Sequence, residues 1–142
     1  MIDHPYNEAG SYARLLHDYK KYGSIFIGFD FDNTIWDHDN YGGFYKDNKN
    51  AVHWSVVNLL KECKELGMKL CLWTCCATDE EEKLKADICA KCGIDPDYIN
   101  WSPLSPGAKK PHFSILLDDR AGLETSYSTL RKLVDTIKSE NS

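Results

Sequence analysis

Three places in the sequence join chemically useful side chains to short apolar runs. Asp30-Phe31-Asp32-Asn33-Thr34 follows Ile25-Phe26-Ile27-Gly28-Phe29, Thr74 closes Leu70-Cys71-Leu72-Trp73, and Asp118-Asp119 follow Ile115-Leu116-Leu117. If these runs are strands of one parallel sheet, their carboxyl ends lie along the edge where such sheets bind ligands. Four carboxylates gathered there repel one another unless a cation neutralises them. The donors are all oxygen, which suits a hard ion, and Mg²⁺ is the usual choice beside phosphates. Asp and Thr also serve as caps and turn formers at strand ends, so any one of these sites alone carries little weight. Three of them in this order on successive elements are hard to attribute to turn chemistry.

The elements that must position these groups alternate in type. Residues 11–22 set Tyr12, Leu15, Leu16, Tyr19 and Tyr22 at helical spacing, and Gly23 is a natural stop. After the first strand, residues 37–50 are polar and contain glycine, which predicts a loop or small flap. Val56, Leu59, Leu60 and Cys63 trace one face of a helix over residues 52–66, and the strand of residues 69–74 follows Gly67. Thr78-Asp79-Glu80-Glu81 has capping-box spacing and opens a helix to about Cys92, along which Leu84, Ile88 and Cys92 form the expected core stripe. Residues 97–101 suit a third short strand and residues 114–118 a fourth, before a helix carrying Leu123, Tyr127, Leu130, Val134 and Ile137. Alternating strands and helices predict an α/β, three-layer Rossmann-like fold, a central parallel sheet with helices on both faces. Its near-continuous apolar strands fit burial on both sides. All 142 residues read as a single domain.

Composition narrows the classes further. The formal net charge is −5, and only Lys20-Lys21 and Lys109-Lys110 concentrate positive charge, so tight binding of duplex nucleic acid is not expected. No apolar run reaches the roughly 18–20 residues of a membrane span, and the polar, acidic first ten residues do not read as a signal peptide. The expected location is the cytoplasm. Six cysteines (Cys63, Cys71, Cys75, Cys76, Cys89 and Cys92) then read as reduced thiols. Cys89-Ala-Lys-Cys92 has redox or metal spacing, but its helical stripe argues for burial.

The motifs resemble those of the haloacid dehalogenase superfamily. IFIGFDFDNTIW is similar to its first motif, a strand followed by Asp-x-Asp-x-Thr; LCLWT is similar to the second; ILLDD is similar to the fourth. The third motif is a lone lysine, for which Lys109 and Lys110 both stand in the right stretch. Lys110 is favoured because Lys-Pro shortly before the strand resembles small members of the family. The resemblance implies a strand order 3-2-1-4 and an aspartyl-phosphate mechanism. In it Asp30 is the nucleophile, Asp32 the general acid and base, Thr74 a hydrogen-bond donor to phosphate, and Lys110 a neutralising cation. It also implies Mg²⁺ held by Asp30, the main-chain carbonyl of Asp32, and the Asp118–Asp119 pair, with Asp119 touching the ion and Asp118 supporting it.

Asp32 at the second motif position favours phosphomonoester hydrolysis or phosphoryl transfer over dehalogenation. Family caps are inserted after the first motif or before the lysine. Here those gaps hold only residues 37–50 and about 102–109, which predicts an HAD-like domain with no cap and an open site. The expected partner is a phosphorylated substrate: a small molecule, a nucleotide, a macromolecule end or a phosphoprotein, with oligomerisation as another way to roof the site. Trp36, Tyr41, Phe44 and Tyr45 could stack on a base or pack on the domain itself, and Arg120 could meet phosphate or form a surface ion pair. His112 reads as exposed. Three other readings are a non-catalytic binding member of the fold, a receiver domain, and a thiol redox protein. A receiver domain places its acid pair on the first strand, whereas here the pair comes last.

Overall fold

The computed structural model describes residues 8–43, 48–106 and 112–142. Helix α1 (Glu8–Tyr22) leads into β1 (Phe26–Phe29), the short helix α2 (His38–Tyr41) and a 3-10 turn (Lys49–Ala51). Then come α3 (Trp54–Glu65), β2 (Lys69–Leu72), α4 (Asp79–Lys91), β3 (Tyr98–Ile99), β4 (Ile115–Leu117) and α5 (Leu123–Asn141). The stretch read as a flap therefore holds a helical turn at each end of its described part. Asp37 caps α2, accepting a hydrogen bond from the Asn40 amide, and Asn48 caps the 3-10 turn in the same way. The expected flap residues Phe44 and Tyr45 lie outside the described residues.

The chain forms an α/β fold with a four-stranded, all-parallel sheet flanked by helices, in the Rossmann-like manner. Its order is β3-β2-β1-β4, the order expected. The register pairs Ile27 with Leu70 and Ile115, and Phe29 with Leu72 and Leu117. Paired residues of parallel strands project to the same side. These side chains, with Ile99, join Leu15, Val57, Leu60, Cys89, Leu130 and Val134 from α1, α3, α4 and α5 in one core cluster. The helices thus turn their apolar residues to a core on one sheet face, α1 by packing on α5.

The other face is built differently from the expectation of helices on both sides. Its residues, including Gly28, Cys71 and Tyr98, stand outside the core cluster. Aromatic rings cover it instead: Phe26 lies 6.4 Å from Tyr98, Tyr98 5.2 Å from Trp101, and Trp73 6.0 Å from Phe113, ring centre to ring centre. Gly28 is required beneath them, because a Cβ there would stand 2.7 Å from Phe113 Cγ.

Helix faces also sharpen the sequence reading. Along α4 the buried residues are Lys85, Ile88 and Cys89, and Cys92 packs against the core; of the expected Leu84–Ile88–Cys92 stripe only Leu84, 49% exposed, is turned out, and Lys85 lies inside in its place. Trp36 is buried, stacks on Phe31 with ring centres 6.3 Å apart, and donates its indole N–H to the Gly42 carbonyl at 3.0 Å. It is a core residue rather than a base-stacking platform. Tyr41 is exposed. Of the cysteines, Cys63, Cys71 and Cys89 are buried, and burial pushes the Cys63 and Cys71 thiols up to about 12. Cys89 is shifted upward for the same reason. Such thiols are poor nucleophiles and poor redox centres. No helix among the described residues is long and apolar enough to cross a membrane.

Replacing Gly28 with Ala should drive the new methyl into the Phe113 ring and lower stability by about 1–3 kcal/mol, the usual range for overpacking. Thermal unfolding of the two proteins measures it.

Candidate active site

Each chemically useful group follows directly from a strand end. The ladder continues one step past β1, where the Asp30 N–H donates to the Leu117 carbonyl at 2.9 Å. The Trp73 N–H likewise donates to Phe29 at 2.8 Å, which carries β2 on towards Thr74. Beyond Asp30 the chain turns sharply: Asn33 adopts φ 62°, and the Ile35 and Trp36 amides both donate to the Phe31 carbonyl. That turn buries Thr34 completely and aims its hydroxyl across the sheet, where Oγ1 accepts from the Asp119 N–H at 3.0 Å. Thr34 thereby ties the loop after β1 to the acid pair after β4. Thr74 is held from the other side. Asn100, also in the left-handed region at φ 51°, accepts the Thr74 N–H on Oδ1 at 2.8 Å.

This scaffold brings Asp30, Asp118 and Asp119 together, with one carboxylate oxygen from each lying within 4.8 Å of the others. Asp118 also accepts from the Arg120 amide at 2.9 Å, which leaves it braced by its own turn. Burial pushes the Asp30 carboxyl up to about 7, from an ordinary value of 3.8, and the Asp118 and Asp119 carboxylates add to the rise. A cation suits this donor set for that reason: three hard oxygen donors converge, and their charges are not offset by one another.

The side chain of Asp32 does not join the trio. It turns instead to Lys85, whose Nζ lies 2.9 Å from Oδ2. The resemblance expects only the main-chain carbonyl of this residue at a metal, and this placement of the side chain is compatible with that. Lys109 and Lys110 lie outside the described residues. His112 is exposed, as expected, and so is Arg120.

Asp30, Trp73, Thr74 and Asp118 open on a cleft of about 600 Å³, whose far wall is the Cys75–Asp79 turn with Glu82 and Asn100. Among its described lining residues are four carboxylates (Asp30, Asp79, Glu82 and Asp118) and no cation. Cys76 is half-buried on that wall, and burial raises its thiol above the ordinary value. The Thr78 hydroxyl caps α4 by accepting the Glu81 N–H at 3.1 Å, and Glu81 returns the bond to the Ala77 amide at 3.2 Å. The expected capping box is therefore present, with its return bond displaced by one residue.

Two residues at the cleft escaped the sequence reading. Trp73 is the aromatic ring that lines the cleft, a place expected for the flap aromatics. Lys85 is buried beneath the cleft on α4. Its signal was its spacing: Glu81 and Lys85 stand four apart, and Lys85 falls between core positions of the same helix.

No family model, curated protein or solved structure matches the chain. The class is therefore carried by the fold and the site alone: a Rossmann-like α/β domain with clustered carboxylates at the carboxyl ends of its central strands.

A folded-state carboxyl that titrates near 7 holds a proton the unfolded chain has already lost. Its contribution is fully present below the unfolded value of 3.8 and disappears as pH rises through about 7. In the absence of divalent cation, the melting temperature should fall between pH 5 and 8 more steeply for the natural protein than for Asp30→Asn. At pH 8 the variant should melt about 2–4 °C higher, the shift that roughly 1 kcal/mol produces in a domain of this size. Added Mg²⁺ should stabilise the natural protein and leave Asp30→Asn nearly unchanged. Equal pH slopes in the two proteins would remove Asp30 as the source.

Proposed function

We propose that the chain is a Mg²⁺-dependent phosphatase of the haloacid dehalogenase type, which hydrolyses phosphomonoesters through an aspartyl-phosphate on Asp30. The observation that carries the reading is the meeting of Asp30, Asp118 and Asp119 at a cleft that Thr74 also lines.

Asp30, Asp118 and Asp119 would hold the ion, together with the Asp32 main-chain carbonyl. When bound, it offsets their charge and lets a carboxylate approach an anionic phosphate. In the first half-reaction Asp30 attacks phosphorus, the new O–P bond forms, and the ester oxygen leaves with a proton from Asp32. In the second, Asp32 takes a proton from water, the hydroxyl attacks phosphorus, and inorganic phosphate departs as Asp30 is regenerated. Thr74 donates a hydrogen bond to a phosphoryl oxygen. Because the described cleft lining carries no cation, the reading also relies on Lys110, or its neighbour Lys109, to neutralise the phosphate.

The substrate proposed is a nucleotide or a polynucleotide-end phosphate. Trp73 supports it by offering a ring against which a base could stack beside Thr74. A phosphoprotein is the second reading, favoured by the cleft's openness along the Cys75–Asp79 turn. A non-catalytic phosphate- or metal-binding role is the third. A cytoplasmic location belongs with this proposal, as does an oligomer that roofs the site.

The test is hydrolysis of an aryl phosphate with Mg²⁺ and with chelator. Turnover should need the ion, and Asp30→Asn should lower kcat by a factor of at least about 10³, as loss of a nucleophile does. Asp32→Asn should lower it about 10²–10⁴-fold while Mg²⁺ affinity, read by calorimetry, stays within a few-fold. Turnover that survived Asp30→Asn would overturn the assignment.

A further inference from the structure

Lys85 is fully buried, yet it carries a charge to within bonding distance of two residues that the proposed chemistry uses. Its stem leaves the core face of α4 between Ile88 and Glu81, and Nζ passes 5.8 Å from the centre of the Phe31 ring. Nζ donates to Asp32 Oδ2 at 2.9 Å, to Thr74 Oγ1 at 3.1 Å and to the Cys75 carbonyl at 3.0 Å. Glu81 Oε1 lies 3.3 Å away as a second counter-charge.

An ammonium has three protons. Those three contacts engage all of them, so Lys85 cannot also bind phosphate without breaking one. It is not a substitute for the expected phosphate-neutralising lysine. Nor is it explained as packing alone. A methionine would fill the same volume without the desolvation penalty of several kcal/mol that a buried cation incurs. What a lysine adds is a rigid link between the end of β1, through Asp32, and the end of β2, through Thr74.

We infer that Lys85 is the positioning residue of this site, a buried ammonium that aims the Asp32 carboxylate and the Thr74 hydroxyl at the same phosphoryl group. The inference rests on the phosphatase reading above. Lys85 holds Asp32 through Oδ2 and so fixes how its carboxyl is turned towards the leaving group and water. With its oxygen accepting from Lys85, the Thr74 hydroxyl keeps its own proton to donate to a phosphoryl oxygen. The ends of two strands are thus set by one side chain from the helix that follows the second of them.

The leaving group provides the readout. Phenyl phosphate needs proton delivery to its departing oxygen far more than 4-nitrophenyl phosphate does, and the two esters have nearly the same shape. The kcat/KM of each reports the steps up to formation of aspartyl-phosphate. Lys85→Met should lower kcat/KM about 10²-fold for phenyl phosphate, the lower end of the usual general-acid contribution, but no more than about tenfold for 4-nitrophenyl phosphate. In an Asp32→Asn background, the same change should cost phenyl phosphate no more than a few-fold, because Lys85 then has no acid to aim. Circular dichroism and thermal melting check that the variants fold. If Lys85→Met does not, Lys85→Gln, one bond shorter and uncharged but still with two donors, carries the same comparison. Equal losses for the two esters, or losses that multiply with Asp32→Asn, would overturn the inference and leave Lys85 as a structural ion pair. Failure of the phosphatase reading would show separately, as turnover by the natural protein that persists in Asp30→Asn.

Discussion

The interaction on which the rest of the site depends is repulsion among Asp30, Asp118 and Asp119. Parallel pairing of β1 with β4 dictates that their carboxyl ends meet, and both ends carry acids. Relaxing that repulsion would mean unpairing the strands or turning the acid loop away. The structure prevents both. The Asp30 amide is bonded to Leu117 and the Asp119 amide to the buried Thr34 hydroxyl, so the backbone beneath two of the three acids is fixed from across the sheet. The charge has to be managed by protonation or by a cation, and Asp30, raised by its burial and by the two neighbouring carboxylates, shows the strain in its titration. A fold that sought only stability would gain by replacing one of these acids. That the chain keeps all three, and braces them, is a physical argument for chemistry at this place.

On the other side of the cleft, charge is managed in the opposite way. The four acids in the first turn of α4 favour the helix dipole, and Glu81 also receives the Ala77 amide. Inserted among them, Lys85 pairs with Asp32 and Glu81, whose side chains are each about one third exposed. A lysine with only neutral partners at this depth would lose its charge or destabilise the core. Its carboxylates are near enough to water to keep part of their own solvation, which makes the buried cation tolerable. One half of the site thus has acids whose charge no described side chain offsets, and the other half carries its own cation.

The sheet was legible because its strands are short apolar runs that end in polar groups, and because alternation with helices restricts the topology. Gly23 and Gly67 take positive φ where two of the helices were read to end, and Gly93 does so just past the expected end at Cys92, so the boundaries fell within a few residues. What could not be read was how the helices divide between the two faces. Ile27 and Phe29 alternate with Gly28 in β1, and Leu70 and Leu72 alternate with Cys71 in β2, yet Cys71 is as buried as its neighbours. An apolar run looks the same whether helices or aromatic side chains cover its second face. The small residue Gly28 was the available sign: beneath an aromatic ring the sheet has no space for a side chain.

The acids of the site were legible for a reason that does not extend to Lys85. Asp30, Asp118 and Asp119 sit at strand ends, where topology alone determines convergence, and motif order adds a resemblance. Lys85 sits in the middle of a helix whose apolar positions can be phased in two ways. Taking Leu84, Ile88 and Cys92 as the stripe leaves Lys85 looking solvated; a stripe centred on Ile88 and Cys89 buries it and leaves Leu84 outside. Hydrophobicity favours the first phase, since Leu84 is the better core residue. The second wins because α4 must also place its first turn against the end of β2, where Thr78 and Glu81 cap it and Lys85 reaches Thr74 and the Cys75 carbonyl. One exposed leucine is a modest cost against three hydrogen bonds from an ammonium that no water can reach. Where a polar position defeats a hydrophobic one for a place in the core, the site rather than the core is setting the phase of the helix.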